Sequence, residues 1–383
     1  MGVEQLGLGR RLVRAALTRG TRRLLRTELK SSFVPKHPFM LARGFRSDSV
    51  QLYEFGRNDP DLYLNDRETV KTWSLVPGSY RPIVDNKLVF HLVLERLGFS
   101  QLVPELLGIV IDGVPAIRLN GCFERSDVED LVAHAADDGT VVRPVGGHGG
   151  HGVAVAGHAG AVSGTCDLAA LINDVAGRRS PAMLTRFVEN HPDLAALHLG
   201  SVSTTRVLTV WPIGSSAPRV VRPVVQQIGT ASSAPFGSWG NGGLSCELDD
   251  GRMVGACQLD DRGRLRRLDH HPESGERIAG RTVPYWEETI TAVVELASAF
   301  PGLPYVLWEF VVGSTGPRLV EANHNPGIQS MQVHKPLLRD DGMCAVLHEN
   351  RLLEATWRSP ATWQGIVARA AAGSDVARQG PGR

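Results

Sequence analysis

The stretch Gly302–Gln329 contains a largely apolar run followed, after four turn-forming residues, by a second short run that is mostly apolar. This pattern predicts two strands, Tyr305–Val312 and Pro317–Ala322, joined by the turn-forming residues Gly313-Ser314-Thr315-Gly316. A period near 3.6 residues predicts helices over Arg81–Gly98, with Asp85 as the cap, and over Pro284–Phe300. Further strands are predicted at Leu106–Asp112, Ala116–Leu119, Thr140–Val145, Val153–Ala156, Ala182–Val188, Ser203–Trp211, Arg222–Ile228, Arg252–Leu259 and Leu265–Asp269.

The C-terminal hairpin carries three oxygen-bearing side chains. Glu309 lies on one face of its first strand, and Glu321 and Asn323 share one face of its second strand. If the two faces coincide, these three side chains converge. Buried carboxylates need a counter-charge, and a few hard oxygen ligands suit Mg²⁺. The alternative is a hairpin whose acids are solvated on its outer face.

A glycine-rich loop lies between the strands Thr140–Val145 and Val153–Ala156. It contains Gly146, Gly147, His148, Gly149 and Gly150. Glycines let backbone N–H groups turn toward a phosphate, and Arg143 stands just before the loop. The pattern is neither GxGxxG nor GxxxxGK[ST]. A mobile hairpin tip is the alternative interpretation.

Three other polar residues occupy positions that a bound ligand would explain. Lys87 falls in the first turn of a helix, where its charge opposes the helix dipole, so a nearby anion or an ordinary surface position accounts for it. Arg206 falls inside a strand and needs an internal ion pair or an anionic substrate. Asn241 can present an amide from a second glycine-rich loop, Ser238–Ser245.

Composition narrows the class of protein without naming a partner. The chain has 383 residues, 42% of them hydrophobic, and a net charge of +1, which gives no basis for a nucleic-acid partner. Its 5 cysteines show no CxxC spacing, which argues against a zinc site or disulfide framework and favours the cytoplasm. No apolar run approaches the roughly 18 residues that a membrane helix needs.

The two ends of the chain differ from its middle. Residues 1–50 are interpreted as a basic helical extension and linker, which either packs on its own domain or makes weak contact with an anionic membrane surface. Residues 51–180 are assigned to a first subdomain and residues 181–370 to a second. The polar residues 371–383 are predicted to form a disordered tail.

The order and spacing of several phrases resemble the ATP-grasp superfamily, and most of all the sugar-transfer-associated ATP-grasp proteins, from about Tyr80 to Gln332. These phrases are VDNKLVFHLVLERLG, VVRPVGGHGGHG, ENHPDLAALHLGSVSTTRVLT, SWGNGGLSC, HHPESG, VPYWEE and VEANHNPGIQSMQ. The resemblance implies an α+β protein that holds ATP between two α+β subdomains.

The resemblance also implies roles for individual residues. Lys87, Arg143 and the glycine loop, with Glu189, bind the nucleotide. Glu309, Glu321 and Asn323 bind one or two Mg²⁺ ions, with Mn²⁺ as a substitute, and Arg206 and Asn241 stabilise the charge that develops during catalysis. The implied reaction is the ATP-dependent ligation of a small-molecule carboxylate to an amine or another nucleophile through an acyl phosphate.

Three positions depart from the family's pattern. Arg143 replaces a lysine, Glu309 replaces an aspartate, and Arg186 stands where Glu or Gln is expected. These departures leave two alternatives beside the ligase. One is a non-catalytic ATP-binding partner of a glycan-building system, and the other is a kinase that acts on a small molecule.

Overall fold

The structure, a computed structural model, describes residues 38–135, 139–147, 152–156, 167–179, 181–260 and 263–375. Its helices are α1 (Pro38–Ala42), α2 (Ser49–Leu52), α3 (Asp66–Thr72), α4 (Arg81–Asp85), α5 (Lys87–Arg96), α6 (Val128–Ala135), α7 (Leu168–Arg178), α8 (Pro192–Ala195), α9 (Trp286–Ala299), α10 (Gln329–Gln332), α11 (Asp341–Glu349) and α12 (Pro360–Asp375). Its strands are β1 (Leu106–Ile111), β2 (Val114–Leu119), β3 (Cys122–Arg125), β4 (Thr140–Pro144), β5 (Ala154–Ala156), β6 (Ala182–Arg186), β7 (Thr204–Val210), β8 (Arg219–Ile228), β9 (Leu244–Asp249), β10 (Arg252–Leu259), β11 (Leu265–Leu268), β12 (Tyr305–Gly313) and β13 (Gly316–Asn323).

Two antiparallel sheets organise these elements, which confirms the mixed α+β class. The first sheet has the strand order β3-β2-β1-β6-β4-β5, and the second has the order β11-β10-β9-β8-β7-β12-β13. Strand β6 pairs with β1 and β4 in the middle of the first sheet. The first sheet therefore extends past residue 180, beyond the boundary that the sequence suggests for the first subdomain.

The predicted C-terminal hairpin is present as β12 and β13. Glu309 is the direct cross-strand partner of Glu321, and Leu307 is the partner of Asn323. On the other side of β12, Glu309 is paired with Arg206 of β7. The register therefore places two carboxylates and a guanidinium in one row across three neighbouring strands.

The start of α5 corrects one expectation. The capping residue is Asn86, whose side chain accepts a hydrogen bond from the backbone N–H of Val89 at 2.9 Å. Asp85 instead ends the short helix α4, and its carboxylate lies 3.1 Å from the imidazole of His324. The cap moves by one residue because the chain turns between α4 and α5, and Lys87 becomes the first residue of α5.

The second sheet is covered differently on its two faces. Val306, Trp308 and Phe310 of β12 pack in one apolar core, together with residues of α5 and α9. Leu307 packs in a separate core with residues of α10, α11 and α12. Because side chains alternate along a strand, Glu309 shares the face of Leu307. The polar row therefore lies on the side of the sheet that α10 partly covers.

A buried ion pair joins segments from the two ends of the described chain. The guanidinium of Arg358 contacts both carboxylate oxygens of Glu68, at 2.6 and 2.7 Å, and both side chains are fully buried. Arg358 also donates to the backbone carbonyls of Asp61 and Tyr63. With every polar atom of the pair engaged, α3 is held against the segment that precedes α12.

The amide of Gln332 in α10 extends this connection. It accepts a hydrogen bond from the backbone N–H of Leu64 at 2.9 Å and donates to the carbonyl of the same residue at 3.0 Å. The side-chain amide of Gln332 thus makes the same pair of hydrogen bonds with the backbone of Leu64 that a residue of a neighbouring strand would make. The N-terminal segment is thereby fixed to α10.

The C-terminal tail begins later than the sequence suggests. Residues 371–375, assigned to a disordered tail, are the last residues of α12. Gly373 allows this, because a Cβ at this position would lie 2.2 Å from the carbonyl oxygen of Asp341. The close packing of α12 on α11 extends the helix. The other residues of the predicted tail, and most of the basic extension, lie outside the described ranges.

We expect Arg358→Met to destabilise the protein by about 3–5 kcal/mol, because it leaves the buried carboxylate of Glu68 without its counter-charge. The control is Arg178→Met, which removes an exposed ion pair with Asp174 within α7 and should change the free energy of unfolding by less than about 0.5 kcal/mol. Chemical denaturation measures both. Equal losses would contradict the structural role given to the buried pair.

Candidate functional site

A cavity of about 370 Å³ lies between the two sheets. Strands of the first sheet supply Val141, Arg143 and Thr185, and those of the second supply Thr204, Arg206 and Glu309. Apolar side chains from several segments complete part of the wall, among them Trp73, Pro104, Val153, Phe187 and Phe236. The cavity therefore has an apolar part and a strongly charged part.

The acidic wall is formed by the three side chains of the C-terminal hairpin. Glu309 accepts hydrogen bonds from Arg206, at 2.9 Å, and from the amide of Asn323, at 3.0 Å. Glu321 is its cross-strand neighbour. All of these residues line the cavity. The expected convergence of Glu309, Glu321 and Asn323 is therefore present in the structure.

The carboxylate of Glu309 is held in an unfavourable environment. Burial raises its pKa, and the negative charge of Glu321 raises it further, while Arg206 acts in the opposite direction. Desolvation disfavours the charged form, and a second carboxylate nearby does the same. A cation bound between these carboxylates would relieve both effects.

Cationic side chains from the other half of the chain face this wall. The ammonium group of Lys87 lies 3.5 Å from a carboxylate oxygen of Glu321 and donates to the carbonyl of Gly147 at 2.6 Å. Arg143 donates from Nη1 to the backbone carbonyl of Val320 at 2.6 Å. Burial lowers the pKa of Arg143 to about 10, so the side chain remains protonated at neutral pH.

The buried guanidinium groups are not fully used. The Nε–H groups of Arg143 and Arg206 have no hydrogen-bond acceptor in the part of the chain that the structure describes. A buried donor without an acceptor costs free energy comparable to a lost hydrogen bond. Arg143 and Arg206 line the cavity, but their Nε–H groups are buried away from its surface, so these donors lie behind the cavity wall.

The remaining predicted site residues fall into three groups: those that line the cavity, those that lie outside its wall, and those that the structure does not describe. Gly146 and Gly147 line the cavity, and Gly147 has φ 103°, a backbone conformation that favours glycine. Asn241 lies in an exposed turn, and Glu189 is exposed beyond Val188; neither lines the cavity. His148, Gly149 and Gly150 lie outside the described residues.

Several residues that line the cavity are not identified from the sequence. Trp73 lines the cavity, as do Thr204 and Ser238. Trp73 is far from the recognised phrases, so no local pattern marks it. Asn325 is different, because the turn Asn325-Pro326-Gly327 after the second strand is itself a sequence indication of a site, and all three residues line the cavity.

A histidine network shapes the loop that carries Ser238. The imidazole of His271 donates from Nε2 to the carbonyl of Gly229 at 2.8 Å, and its Nδ1 accepts from the backbone N–H groups of Glu273 and Ser274. These bonds require the neutral ring, and burial lowers the pKa of His271 accordingly. The loop that begins at Gly229 is therefore held in place at its start.

The acidic wall fits a hard divalent cation. Carboxylate and amide oxygens are ligands of Mg²⁺, which keeps its other positions for water and phosphate. Within the described ranges, no three or more His, Cys, Asp and Glu side chains lie close enough together to bind a metal ion on their own. The candidate site differs from such a group, since it has two carboxylates and one amide.

Among the described helices, none combines the length and the apolar character needed to span a membrane.

Comparisons with known proteins give a family and several solved structures. The family described as sugar-transfer associated ATP-grasp matches residues 72–341, more than half of the chain. None of the curated proteins matches the sequence. The structure of D-cycloserine synthetase DcsG is 14% identical, with 73% of this chain and 74% of that chain covered and a TM-score of 0.39. D-alanine–D-alanine ligase from Bacillus anthracis is 13% identical, with 77% and 69% covered and a TM-score of 0.37. The ligase of the same name from Helicobacter pylori is 14% identical, with 77% and 69% covered and a TM-score of 0.36.

We expect Glu309→Gln to stabilise the metal-free protein at about pH 8, because a raised pKa means that folding disfavours the charged carboxylate. The stability that the protonated form provides is lost as the pH rises through the raised pKa of Glu309. The gain in Tm over the unsubstituted protein should therefore shrink toward about pH 4, where Glu309 is protonated.

Calorimetry in the presence of EDTA measures this pH dependence. The control is Glu295→Gln, on the exposed side of α9, which should show no such trend. A Glu309→Gln variant that is less stable than the unsubstituted protein at the higher pH would contradict the assigned electrostatics.

Proposed function

Since the chain belongs to the sugar-transfer associated ATP-grasp family, we propose that it is an ATP- and Mg²⁺-dependent ligase. The proposed reaction joins a carboxylate to an amine or a related nucleophile. The observation that carries the proposal is the approach of Lys87 and Arg143 to the acidic hairpin, with Lys87 in ion-pair contact with Glu321, 3.5 Å away, in the cavity wall.

The arrangement suits phosphoryl transfer for a physical reason. This chemistry depends mainly on positioning and on neutralising the charge of the phosphates. Lys87 and Arg143 supply fixed positive charge at one wall of the cavity, and Arg206 adds a further guanidinium group to its lining. The apolar wall formed by Trp73, Phe187 and other side chains offers a surface for a base.

The proposed reaction has two steps. An oxygen of the substrate carboxylate attacks the γ-phosphorus of ATP, the bond to the β–γ bridging oxygen breaks, and ADP leaves. The nucleophile then attacks the acyl carbon of the mixed anhydride, and inorganic phosphate leaves with the bonding electrons. A proton is lost from the nucleophile. The products are ADP, phosphate and the ligated acid.

Each predicted residue has a proposed role in these steps. Glu309, Glu321 and Asn323 hold Mg²⁺, or Mn²⁺ in its place, which when bound neutralises phosphate charge. Lys87, Arg143, the loop residues from Gly146 to Gly150, and Glu189 bind the nucleotide. Arg206 and Asn241 stabilise the charge that develops in each step; Asn241 lies outside the cavity wall, so this role requires the loop to move inward. The proposed setting is the cytoplasm, in cell-surface polysaccharide or natural-product assembly.

One observation favours a second function, a non-catalytic ATP-binding partner of a glycan-building system. Arg186, which lines the cavity at a position where an acid or amide is expected, lies 3.3 Å from Glu105. Arg143 is likewise engaged with the carbonyl of Val320. A protein of this kind would bind ATP without releasing ADP. A small-molecule kinase would instead leave a stable phosphorylated product.

We expect Glu321→Ala to lower ADP release by on the order of 10²–10³-fold, because a ligand of the metal and a partner of Lys87 are lost together. Calorimetry with ATP, with and without Mg²⁺, is paired with a coupled ADP assay over a pool of carboxylates and amines. Affinity for ATP in EDTA should change much less than turnover.

The control for this experiment is Glu295→Ala, which removes an exposed acid of α9 and should leave turnover unchanged. Binding of ATP by the unsubstituted protein without any ADP release would favour the non-catalytic function. Turnover by Glu321→Ala at the level of the unsubstituted protein would refute the proposed metal site.

A further inference from the structure

The cavity extends along strand β12. Leu307, Glu309 and Val311 all line it, and the alternation of side chains places them on one face of the strand. Neighbouring side chains on one face of a strand lie about 7 Å apart. The charged row of Glu309, Glu321 and Arg206 therefore crosses the middle of the cavity, with Leu307 toward one end and Val311 toward the other.

The end at Val311 has a broad apolar wall. Val311 packs in one cluster with Phe187 and Val202, and both of these residues also line the cavity. Further lining residues of the same cluster are Val141, Val188, Phe236 and Val320. Because these side chains come from both sheets, a flat base can lie between them. In the proposed reaction, this end of the cavity suits the base of ATP.

The end at Leu307 is formed by a different part of the chain. Leu307 packs in a core with Tyr305 and with Leu75, which follows α3. Trp73 lies two residues before Leu75 and lines the cavity. The wall at this end therefore includes Trp73, whereas Phe187 belongs to the opposite end.

The indole ring of Trp73 offers the cavity a carbon surface. The residue is half-buried, and its Nε1 atom is one of the fully buried side-chain atoms. The polar edge of the ring is thus turned away from solvent, and the accessible part of the side chain is apolar.

The turn after β13 completes this end of the cavity. Asn323 is the cross-strand partner of Leu307, and Asn325, Pro326 and Gly327 continue the wall. Asn325 is half-buried, and its side-chain amide makes no hydrogen bond with another residue of the described chain. None of the lining residues named at this end carries a charge.

This combination of side chains limits the groups that can bind beyond the charged row. A charged group would lose hydration here without gaining a counter-charge. An uncharged ring has a flat apolar face that matches Trp73 and Leu307, and it loses little conformational freedom when it binds. A hydroxyl group on the edge of such a ring can donate to or accept from the amide of Asn325.

We propose that Trp73, Leu307 and Asn325 bind an uncharged, hydroxyl-bearing ring of the carboxylate substrate. The inference rests on the proposed function, because the carboxylate of this substrate must reach the γ-phosphate at the charged row. Leu307 lies one step along β12 from that row, so the ring and the carboxylate of one small molecule can occupy both positions. The acid is then a hydroxylated aryl acid or a sugar acid, in preference to an amino acid or a small acyclic acid.

The first test measures binding by calorimetry, with Mg²⁺ and a non-hydrolysable ATP analogue present. The ring probes are 4-hydroxyphenylacetate and D-glucuronate, and the acyclic probes are butyrate and D-alanine. At least one ring probe should bind the unsubstituted protein more tightly than either acyclic probe. Trp73→Ala should weaken binding of that ring probe by about tenfold or more, and Trp73→Phe should restore it to within about threefold. The ring probe that binds distinguishes an aryl acid from a sugar acid.

The two ends of the cavity are separated by a second comparison. Trp73→Ala should weaken the ring probe more than the ATP analogue, and Phe187→Leu should weaken the analogue more than the ring probe. Thermal unfolding of each variant shows whether it folds. Trp73→Leu, which retains more apolar volume, replaces Trp73→Ala if the alanine variant does not fold.

The role of Asn325 has a test of its own if the aryl acid is the ring probe that binds. The hydroxyl group of 4-hydroxyphenylacetate should strengthen binding over phenylacetate in the unsubstituted protein, and Asn325→Ala should remove this difference. For the sugar acid, Asn325→Ala should weaken D-glucuronate and leave butyrate unchanged.

Three results would overturn the proposal. They are acyclic probes that bind as tightly as the ring probes, no binding of either ring probe, and a Trp73→Ala variant that weakens only the ATP analogue, which would place Trp73 in the surface for the base. Failure of the ligase function gives a different pattern. In that case no acid causes ADP release, while a ring probe still binds the unsubstituted protein and is weakened by Trp73→Ala.

Discussion

Two carboxylates that face each other across β12 and β13 impose the main constraint on this molecule. Glu309 and Glu321 are register partners, and burial together with their mutual repulsion raises the pKa of Glu309. Such a pair persists only where the surrounding structure supplies compensating charge. Arg206 supplies it from the same sheet and Lys87 from α5. The charged side chains around the cavity therefore come from distant parts of the chain and compensate one another.

Contacts outside the cavity hold these charged side chains in position. Arg143 of the first sheet donates to the carbonyl of Val320, next to Glu321, and so ties one sheet to the edge of the other. On the far side, Gln332 fixes α10 to the N-terminal segment, which the pair of Glu68 and Arg358 holds to the C-terminal segment. The cavity wall at Asn325 thus joins directly to a helix anchored by both ends of the described chain.

The sequence predicts the parts of this site that depend on local periodicity. Strand geometry places Glu321 and Asn323 on one face of the second strand and Glu309 on one face of the first, and the register of the hairpin then brings the two faces together. Local periodicity does not predict that Lys87 reaches Glu321, since that contact joins elements more than two hundred residues apart in the chain; only the resemblance to the family implies that these groups face each other. Trp73 has no local signal for the same reason. The helical residues 371–375 depend on the packing of α12 on α11, which overrides local propensity, whereas the cap at Asn86 is a local bond to Val89 that differs from the expected cap by one residue.

A crystal structure with Mn²⁺ and a non-hydrolysable ATP analogue, in which anomalous scattering locates the metal, tests most directly whether the acidic hairpin binds a metal opposite Lys87. We expect a metal about 2.1 Å from oxygens of Glu309, Glu321 and Asn323, with the phosphates between the metal and Lys87. A nucleotide bound outside the cavity, or a metal held by other residues, would contradict this expectation.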